Sequence, residues 1–259
     1  MQKLKVAILQ ANLAWENPEK NIDYFTKEIM RLTETVDVIV LPEMFTTGFS
    51  MNAEHLAEPV EGKSLSWMQQ MAKAKNACIT GSLIIEDKGN YYNRLYWVFP
   101  DNTFKSYDKK HLFTLAKEQK TYTAGTEKLI IEYKGWKFCP LICYDLRFPV
   151  WARNTEDYDV LLYVANWPKM RTAAWDALLK ARAIENMAYC VGVNRVGKDG
   201  NDYPYVGHSA VYDALGNLIT KSDYHEKIFT EVHELDYEKL QEVRNKLGFL
   251  RDRDAFKFK

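Results

Sequence analysis

Three side chains that could act together in catalysis each follow a segment predicted to be a strand. Glu43 follows VDVIVL and a proline, Lys109 follows residues 103–107, and Cys143 closes the run WKFCPLIC. Reactive groups in α/β proteins gather beyond the carboxyl ends of strands, where loops converge. Each residue alone is more commonly a loop acid, a surface cation or a buried thiol, so only the combination indicates chemistry.

Together the three residues could form a nucleophilic site. A thiol is a better nucleophile when a neighbouring base removes its proton and a cation favours the resulting anion. Glu43 could be that base and Lys109 that cation. Attack on an amide carbon would create an oxyanion, which Lys109 and the backbone N–H of Tyr144 could stabilise if Cys143 sits on a strand-to-helix turn.

Two other uses of the same thiol are open. His111 or His208 could replace the glutamate as the base of a Cys–His pair. Cys139 and Cys143 have the spacing of two metal ligands on one helix face, but Pro140 opposes a helix there and no His or Cys cluster completes a site. The sequence therefore predicts neither a metal nor a cofactor.

Alternating strand and helix signals surround these residues. Residues 5–13 are predicted to form a strand, Asn17 to cap a helix with proline at its first position, and residues 36–41 to form the next strand. A second helix is predicted to begin at a Ser64 N-cap and to lead into a strand at 78–85. This is the β-α-β pattern of an α/β protein.

The middle of the chain is rich in strands, and the alternation returns after residue 159. The predicted segments are hairpins at 90–100 with 103–107 and at 129–133 with 136–142, a strand at 160–165, a helix face from Trp175 to Met187, a strand at 189–193, a loop at 197–201, and a hairpin at 209–212 with 218–220. No obvious linker divides the chain. Residues 1–259 are therefore predicted to form a single α/β domain with two sheets, each covered by helices on one face.

Composition favours a small-molecule partner. The 259 residues include 35 basic and 35 acidic side chains, so the formal net charge is zero and gives no reason to expect nucleic-acid or membrane binding. The lysines between residues 105 and 120 are interpreted as a solvated face. The N-terminus resembles a strand rather than a leader, and the four cysteines lack paired spacing, so we expect a cytoplasmic protein with reduced thiols.

The segments DVIVLPEMF, YDKKHLF and LICYDLRFP resemble, in order, the three signatures of the nitrilase superfamily of carbon-nitrogen hydrolases. The resemblance covers nearly the whole chain. It implies that Glu43 is the general base, Lys109 the transition-state stabiliser and Cys143 the nucleophile. It favours Lys109 over Lys110 because the family's lysine stands two residues before the histidine of HLF.

The same resemblance implies further features. Glu118, seven residues before Gly125, matches the family's second, supporting glutamate. The expected fold is a four-layer α-β-β-α sandwich, and the expected assembly is a homodimer formed through helical faces. The ending FLRDRDAFKFK departs from the endings of close relatives, which leaves the dimer contacts open.

Residues 166–201 resemble the omega-amidase branch, which hydrolyses the terminal amide of 2-oxoglutaramate and related short dicarboxylic monoamides. Trp167 and Arg171 follow a predicted strand, where a guanidinium could pair with a substrate carboxylate. Arg147 is a second candidate, although a structural pair with Asp145 or another buried acid is favoured. The alternatives are an N-carbamoyl amino-acid or other aliphatic amidase, and a catalytically silent binding protein of the same fold.

Overall fold

In the computed structural model, which describes residues 3–221 and 226–257, the strands form two large sheets and one small one. The first sheet contains β1 (Lys3–Gln10), β2 (Val38–Val40), β3 (Glu58–Pro59), β4 (Cys78–Asp87), β5 (Asn90–Val98), β6 (Phe104–Asp108) and, from the end of the chain, β14 (Phe229–Asp236). The second contains β7 (Ile131–Tyr133), β8 (Trp136–Ile142), β9 (Val160–Val164), β10 (Tyr189–Val193) and β13 (Ala210–Tyr212). The small sheet pairs β11 (Val196–Lys198) with β12 (Pro204–Val206).

Both large sheets have parallel strands at their centre and antiparallel strands at their edges. The first has the order β14-β1-β2-β4-β5-β6, with β1, β2 and β4 parallel and β3 paired to β4. The second has the order β13-β10-β9-β8-β7, with β8, β9 and β10 parallel. The carboxyl ends of these parallel strands are where loops converge on a site.

Helices flank the two large sheets. They are α1 (Pro18–Arg31), α2 (Ala53–Leu56), α3 (Lys63–Lys75), α4 (Pro149–Ala152), α5 (Thr172–Asn186) and α6 (Tyr237–Leu247). The Asn17 side chain accepts a hydrogen bond from Lys20 N at 3.0 Å and so caps α1, as its sequence predicts. Asp236 caps α6 in the same way.

Strand β1 shows how the layers are built. Leu4, Val6 and Ile8 belong to the apolar core between the two sheets, whereas Ala7 and Leu9 belong to the core under α1 and α3. Because successive side chains of a strand point to opposite faces, one sequence serves both interfaces. The expected α-β-β-α sandwich is therefore confirmed.

Several element boundaries differ from the sequence prediction. Helix α3 begins at Lys63 after Gly62, and Ser64 lies inside the helix, where its backbone N–H and its hydroxyl both donate to the Glu58 carboxylate. The predicted loop at 197–201 is partly strand β11, because residues 196–198 pair with the nearby strand β12 in a short antiparallel hairpin.

Candidate active site

Lys109 lies at the centre of a buried cluster of charges. Its ammonium is 2.9 Å from the Glu43 carboxylate and 3.0 Å from both oxygens of Glu118. The three side chains are 1% exposed or less. Glu118 belongs to a short 3₁₀ turn between β6 and β7. The structure thus brings it together with Glu43, which follows β2, and Lys109, which follows β6.

The backbone around Lys109 is held by a close approach of two segments. Gly125 N–H donates to the Lys109 carbonyl at 2.9 Å. A Cβ atom at Gly125 would lie 2.2 Å from the Asp108 carbonyl oxygen, so only glycine fits at this contact. Lys110, by contrast, directs its ammonium toward the Trp151 ring, 5.3 Å from the centroid.

Glu43 is oriented by donors other than lysine. Asn93 Nδ2 donates to one carboxylate oxygen at 2.8 Å, and Asn166 N donates to the other at 2.8 Å. The Asn166 side chain also donates to the Glu43 carbonyl at 2.5 Å. Because both of its oxygens are held by hydrogen bonds, the Glu43 carboxylate has a fixed orientation in the site.

Glu118 is held in a similar way. Phe113 N donates to its carboxylate at 2.5 Å, in addition to the two contacts with Lys109. Burial raises the pKa of Glu118, the positive charge of Lys109 opposes this shift, and the negative charge of Glu43 adds to it.

Cys143 sits on a sharp turn between β8 and the 3₁₀ helix Cys143–Arg147. Its φ is +44°, a left-handed conformation that is costly for a residue with a side chain. This turn presents a half-buried thiol, with Sγ 4.0 Å from the Asn166 carbonyl oxygen. Tyr144 lies in the first turn of the helix, where backbone N–H groups lack acceptors within the helix.

The charges around the thiol set its resting state. Burial raises the pKa of Cys143 well above its usual value, Glu43 and Glu118 add to the shift, and Lys109 opposes it. Burial lowers the pKa of Lys109, but the carboxylates of Glu118 and Glu43 outweigh this effect and raise it. These shifts favour a neutral thiol and a charged lysine, so a reaction at the thiol would need a base to remove its proton.

A cavity of about 570 Å³ opens above the thiol, and Lys109, Cys143 and Tyr144 are among its lining residues. Two arginines contribute to its wall. The guanidinium of Arg147 lies 5.0 Å from the Trp167 ring centroid, and that of Arg171 lies 4.9 Å from the Phe113 ring centroid. The cavity thus combines a thiol with cationic side chains, an arrangement that suits a substrate bearing a carboxylate.

The expected pair between Arg147 and Asp145 is wrong. Asp145 is fully buried and accepts hydrogen bonds from Tyr107, His111 and the backbone N–H of Ile142, whereas Arg147 is exposed and stacks on Trp167. Residues two apart in a tight 3₁₀ turn face different directions, so proximity in sequence did not give contact.

The two histidines considered as alternative bases have carboxylate partners. His111 Nδ1 lies 2.8 Å from Asp145, and His208 Nδ1 lies 3.0 Å from Asp176. Within 3–221 and 226–257, the residues lining the cavity include neither histidine. The geometry favours Glu43 over imidazole as the base.

Asn93 and Asn166 are the site residues that the sequence analysis did not identify. Asn93 is a buried amide in β5 next to the buried Arg94, and Asn166 directly follows β9. A polar side chain inside a predicted strand is a usable signal, because such a group needs partners once it is buried.

No helix in the described parts of the chain is long and apolar enough to cross a membrane. The same residues contain no group of three or more His, Cys, Asp or Glu side chains arranged to hold a metal ion.

Comparison with known proteins agrees with this geometry. The chain is 44% identical over 257 residues to omega-amidase YafV of Escherichia coli strain K12, covering 99% of both chains. It is 33% identical over 255 residues to a 2-oxoglutaramate amidase of Bacillus subtilis strain 168, covering 96% of this chain and 97% of that protein.

A crystal structure from Xanthomonas campestris is also similar. That CN-hydrolase superfamily protein carries an arsenic adduct in its active site, is 39% identical, and superposes with a TM-score of 0.97 over 100% of both chains. The carbon-nitrogen hydrolase family model matches residues 5–245. Signatures, fold and relatives therefore agree that this chain belongs to the carbon-nitrogen hydrolase family.

Proposed function

We propose that this carbon-nitrogen hydrolase is an omega-amidase, a single-domain enzyme that converts a short dicarboxylic monoamide such as 2-oxoglutaramate to 2-oxoglutarate and ammonia. The observation that carries the proposal is the cavity itself, which has Cys143 and Lys109 among its lining residues and two arginines in its wall. The names of the two amidase relatives described above support the same substrate class.

The first chemical step is attack by the thiol. Glu43 accepts the proton of Cys143 as Sγ bonds to the amide carbon, because the thiol is neutral at rest and needs a base. The carbonyl oxygen becomes an oxyanion. Lys109 Nζ and the Tyr144 N–H stabilise that charge.

The tetrahedral intermediate then collapses. The C–N bond breaks, the protonated Glu43 returns its proton to the nitrogen, and ammonia leaves a thioester on Cys143. Water adds to the thioester carbon as Glu43 removes a proton. The C–S bond breaks, the thiol recovers its proton from Glu43, and the dicarboxylate product is released.

Glu118 acts on the position of Lys109. Its two oxygens each lie 3.0 Å from the ammonium, which is also 2.9 Å from Glu43. A lysine held between two carboxylates remains charged and keeps a fixed place beside the nucleophile.

The far carboxylate of the substrate pairs with Arg171, and Trp167 supports it. Trp167 Nε1 donates to the Arg171 carbonyl at 2.8 Å, which ties the arginine's backbone to the cavity wall. The guanidinium of Arg147 lies over the ring of the same tryptophan, and Arg147 is the next candidate. A planar guanidinium suits either role because it binds a carboxylate through two hydrogen bonds.

The test is ammonia release from a panel of amides at equal concentration. We expect 2-oxoglutaramate to give a higher kcat/KM than uncharged aliphatic amides or N-carbamoyl amino acids. A preference for either of those classes would replace the substrate assignment but keep the cysteine chemistry. No release from any amide, with correctly folded protein, would favour a silent binding protein.

The assembly we propose is a cytoplasmic homodimer formed through helical faces. Ile184 near the end of α5 and Leu215 in the adjacent loop are exposed apolar side chains, and Gly216 packs next to Ile184. Adjacent exposed apolar groups support an interface on this face.

A further inference from the structure

One buried carboxylate near the active site has no role in the chemistry described above. Both oxygens of Asp145 accept hydrogen bonds. Oδ1 accepts from His111 N at 2.9 Å and lies 2.8 Å from His111 Nδ1, and Oδ2 accepts from Tyr107 Oη at 2.8 Å and from Ile142 N at 3.0 Å. The carboxyl group is fully buried, so these contacts replace its hydration.

The donors belong to the two segments that carry the reacting groups. Tyr107 and His111 stand two residues before and two residues after Lys109, and the backbone N–H comes from the residue immediately before Cys143. Asp145 therefore ties the segment that bears the ammonium to the turn that bears the thiol.

The donors are themselves fixed in place. Tyr107 Oη accepts hydrogen bonds from Lys110 N at 3.2 Å and from Trp151 Nε1 at 3.0 Å. The His111 ring stacks on Phe148, with centroids 3.7 Å apart and planes 5° from parallel. Because Tyr107 and His111 are held by these contacts, a change at Asp145 is expected to shift the segment that carries Lys109 relative to the turn that carries Cys143.

We propose that Asp145 is a positioning residue that sets the place of the Lys109 ammonium relative to the Cys143 thiol. The proposal rests on the proposed roles of Lys109 and Cys143 and is independent of which amide is the substrate. Asp145 touches neither thiol nor substrate in this arrangement, and acts only through the segments it joins.

A carboxylate is required because four donors converge on this side chain. In Asp145→Asn the remaining oxygen can still accept from Tyr107 and Ile142. The new NH₂ group can donate to His111 Nδ1 if the ring changes tautomer, but it then faces the His111 backbone N–H, which loses its acceptor. The substitution conserves volume and loosens the Lys109 segment.

The rate of Cys143 alkylation by iodoacetamide measures the consequence without any substrate. The charged groups with the largest effects on the pKa of the thiol are Glu43, Lys109 and Glu118, and of these three Lys109 favours the thiolate. Arg147 and Arg171 also line the cavity, and both are unchanged in every variant whose alkylation is compared below. Below the thiol's pKa the rate follows the thiolate fraction, so we expect Lys109→Met to slow alkylation at pH 8 by about 10–10³-fold. We expect Asp145→Asn to slow it by about tenfold.

The double variant separates positioning from general loosening. If Asp145 acts through Lys109, then Asp145→Asn adds little to the effect of Lys109→Met. On any amide that the enzyme hydrolyses, Asp145→Asn should lower kcat by about 10²-fold, with KM changed by less than about threefold.

Asp159→Asn is the matched control. Asp159 is also a buried acid, and it accepts from Lys137 N at 2.9 Å and from Arg244 at 2.7 Å, outside the cavity. This variant should alkylate at the wild-type rate even if it melts at a lower temperature.

An Asp145→Asn protein that alkylates at the wild-type rate, or whose effect adds in full to that of Lys109→Met, overturns the proposal. If Asp145→Asn does not fold, Tyr107→Phe removes one donor and should slow alkylation by about threefold. A wild-type rate in that variant also overturns it. A wild-type rate in Lys109→Met overturns the role of Lys109 instead, and this inference falls with it.

Discussion

Cys143 combines an unfavourable backbone conformation with a thiol that is hard to ionise. Its backbone is left-handed, and burial with the charge of Glu43 raises the pKa of its thiol. A Cys–His pair starts from a thiolate, whereas this arrangement starts from a thiol and a carboxylate. In the proposed mechanism the proton therefore moves to Glu43 as the new bond forms.

Cys143→Ala tests the nucleophile. We expect turnover to disappear while the circular dichroism spectrum and the cooperative melting transition remain, because the half-buried sulfur faces the cavity rather than the core. Mass spectrometry of the wild-type enzyme with a slow substrate should place the acyl group on Cys143. Cys78, Cys139 and Cys190 are all buried, and an adduct on one of them would show that the nucleophile has been assigned to the wrong cysteine.

Adjacent lysines provide an internal control for the stabilising cation. Lys109→Met should reduce kcat by about 10²–10³-fold, because it removes an oxyanion donor. Lys110→Met should leave kcat nearly unchanged, since that ammonium faces Trp151. Steady-state ammonia release from both variants decides the assignment, and the reverse result would show that the lysine has been placed in the wrong register.

Arg171→Ala tests how the substrate is oriented. Loss of a desolvated carboxylate partner costs about 2–5 kcal/mol, so kcat/KM for 2-oxoglutaramate should fall by roughly two to three decades. Uncharged short amides should be spared. If both classes lose activity equally, Arg171 supports the fold or the chemical step, and Arg147→Ala becomes the informative variant.

At the scale of elements, the sequence predicts strand ends better than it predicts pairings. Glu43 and Cys143 could be identified because each stands at the end of a strong apolar run, and Lys109 because it follows a predicted hairpin strand. Strand β14 and helix α6 were not predicted, although β14 pairs with β1 along its whole length. A strand of mixed polarity at a sheet edge has a weak pattern, and its register depends on a partner more than 200 residues away.

The site's amides show the same limit. Asn93 and Asn166 reach Glu43 from two different sheets. Their convergence depends on how the sheets pack, which periodicity cannot give. The incorrect Arg147–Asp145 pair has the opposite origin, because it relied on closeness in sequence inside a turn that separates the two side chains.

His233, in strand β14, should make the free energy of unfolding depend measurably on pH. Burial lowers the pKa of His233 to about 4, and the nearest Glu231 oxygen, at 3.7 Å, is too far for a strong hydrogen bond. As the pH falls, His233 is protonated in the unfolded chain before it is protonated in the folded protein. The free energy of unfolding is therefore unaffected by this histidine above about pH 6.5, and it falls by up to about 3 kcal/mol as the pH approaches 4.

Urea unfolding between pH 7 and 4 measures this effect. His233→Gln should remove most of that pH dependence, whereas His55→Gln, at an exposed position, should retain it. Parallel curves for His233→Gln and the wild-type protein would contradict the assignment.

At the scale of the whole molecule, the proposed dimer can be tested by light scattering coupled to size exclusion. The chain has a mass of 30.2 kDa, and we expect a particle of about twice that mass. Ile184→Asp on α5 should shift it toward the monomer. Met30→Asp, at an exposed apolar position on α1, is the matched control and should not. If Met30→Asp dissociates the dimer and Ile184→Asp does not, the interface lies at α1 instead of α5.

The active site spans the seam between the two sheets. Glu43 and Lys109 extend from strands of the first sheet, and Cys143 from a strand of the second. Where the sheets meet, Trp97 packs on Phe138 with ring centroids 4.8 Å apart. The distance between Glu43 and Cys143 thus depends on how the two sheets pack against each other. A substitution in the core between the sheets can therefore abolish activity although Glu43, Lys109 and Cys143 are all still present.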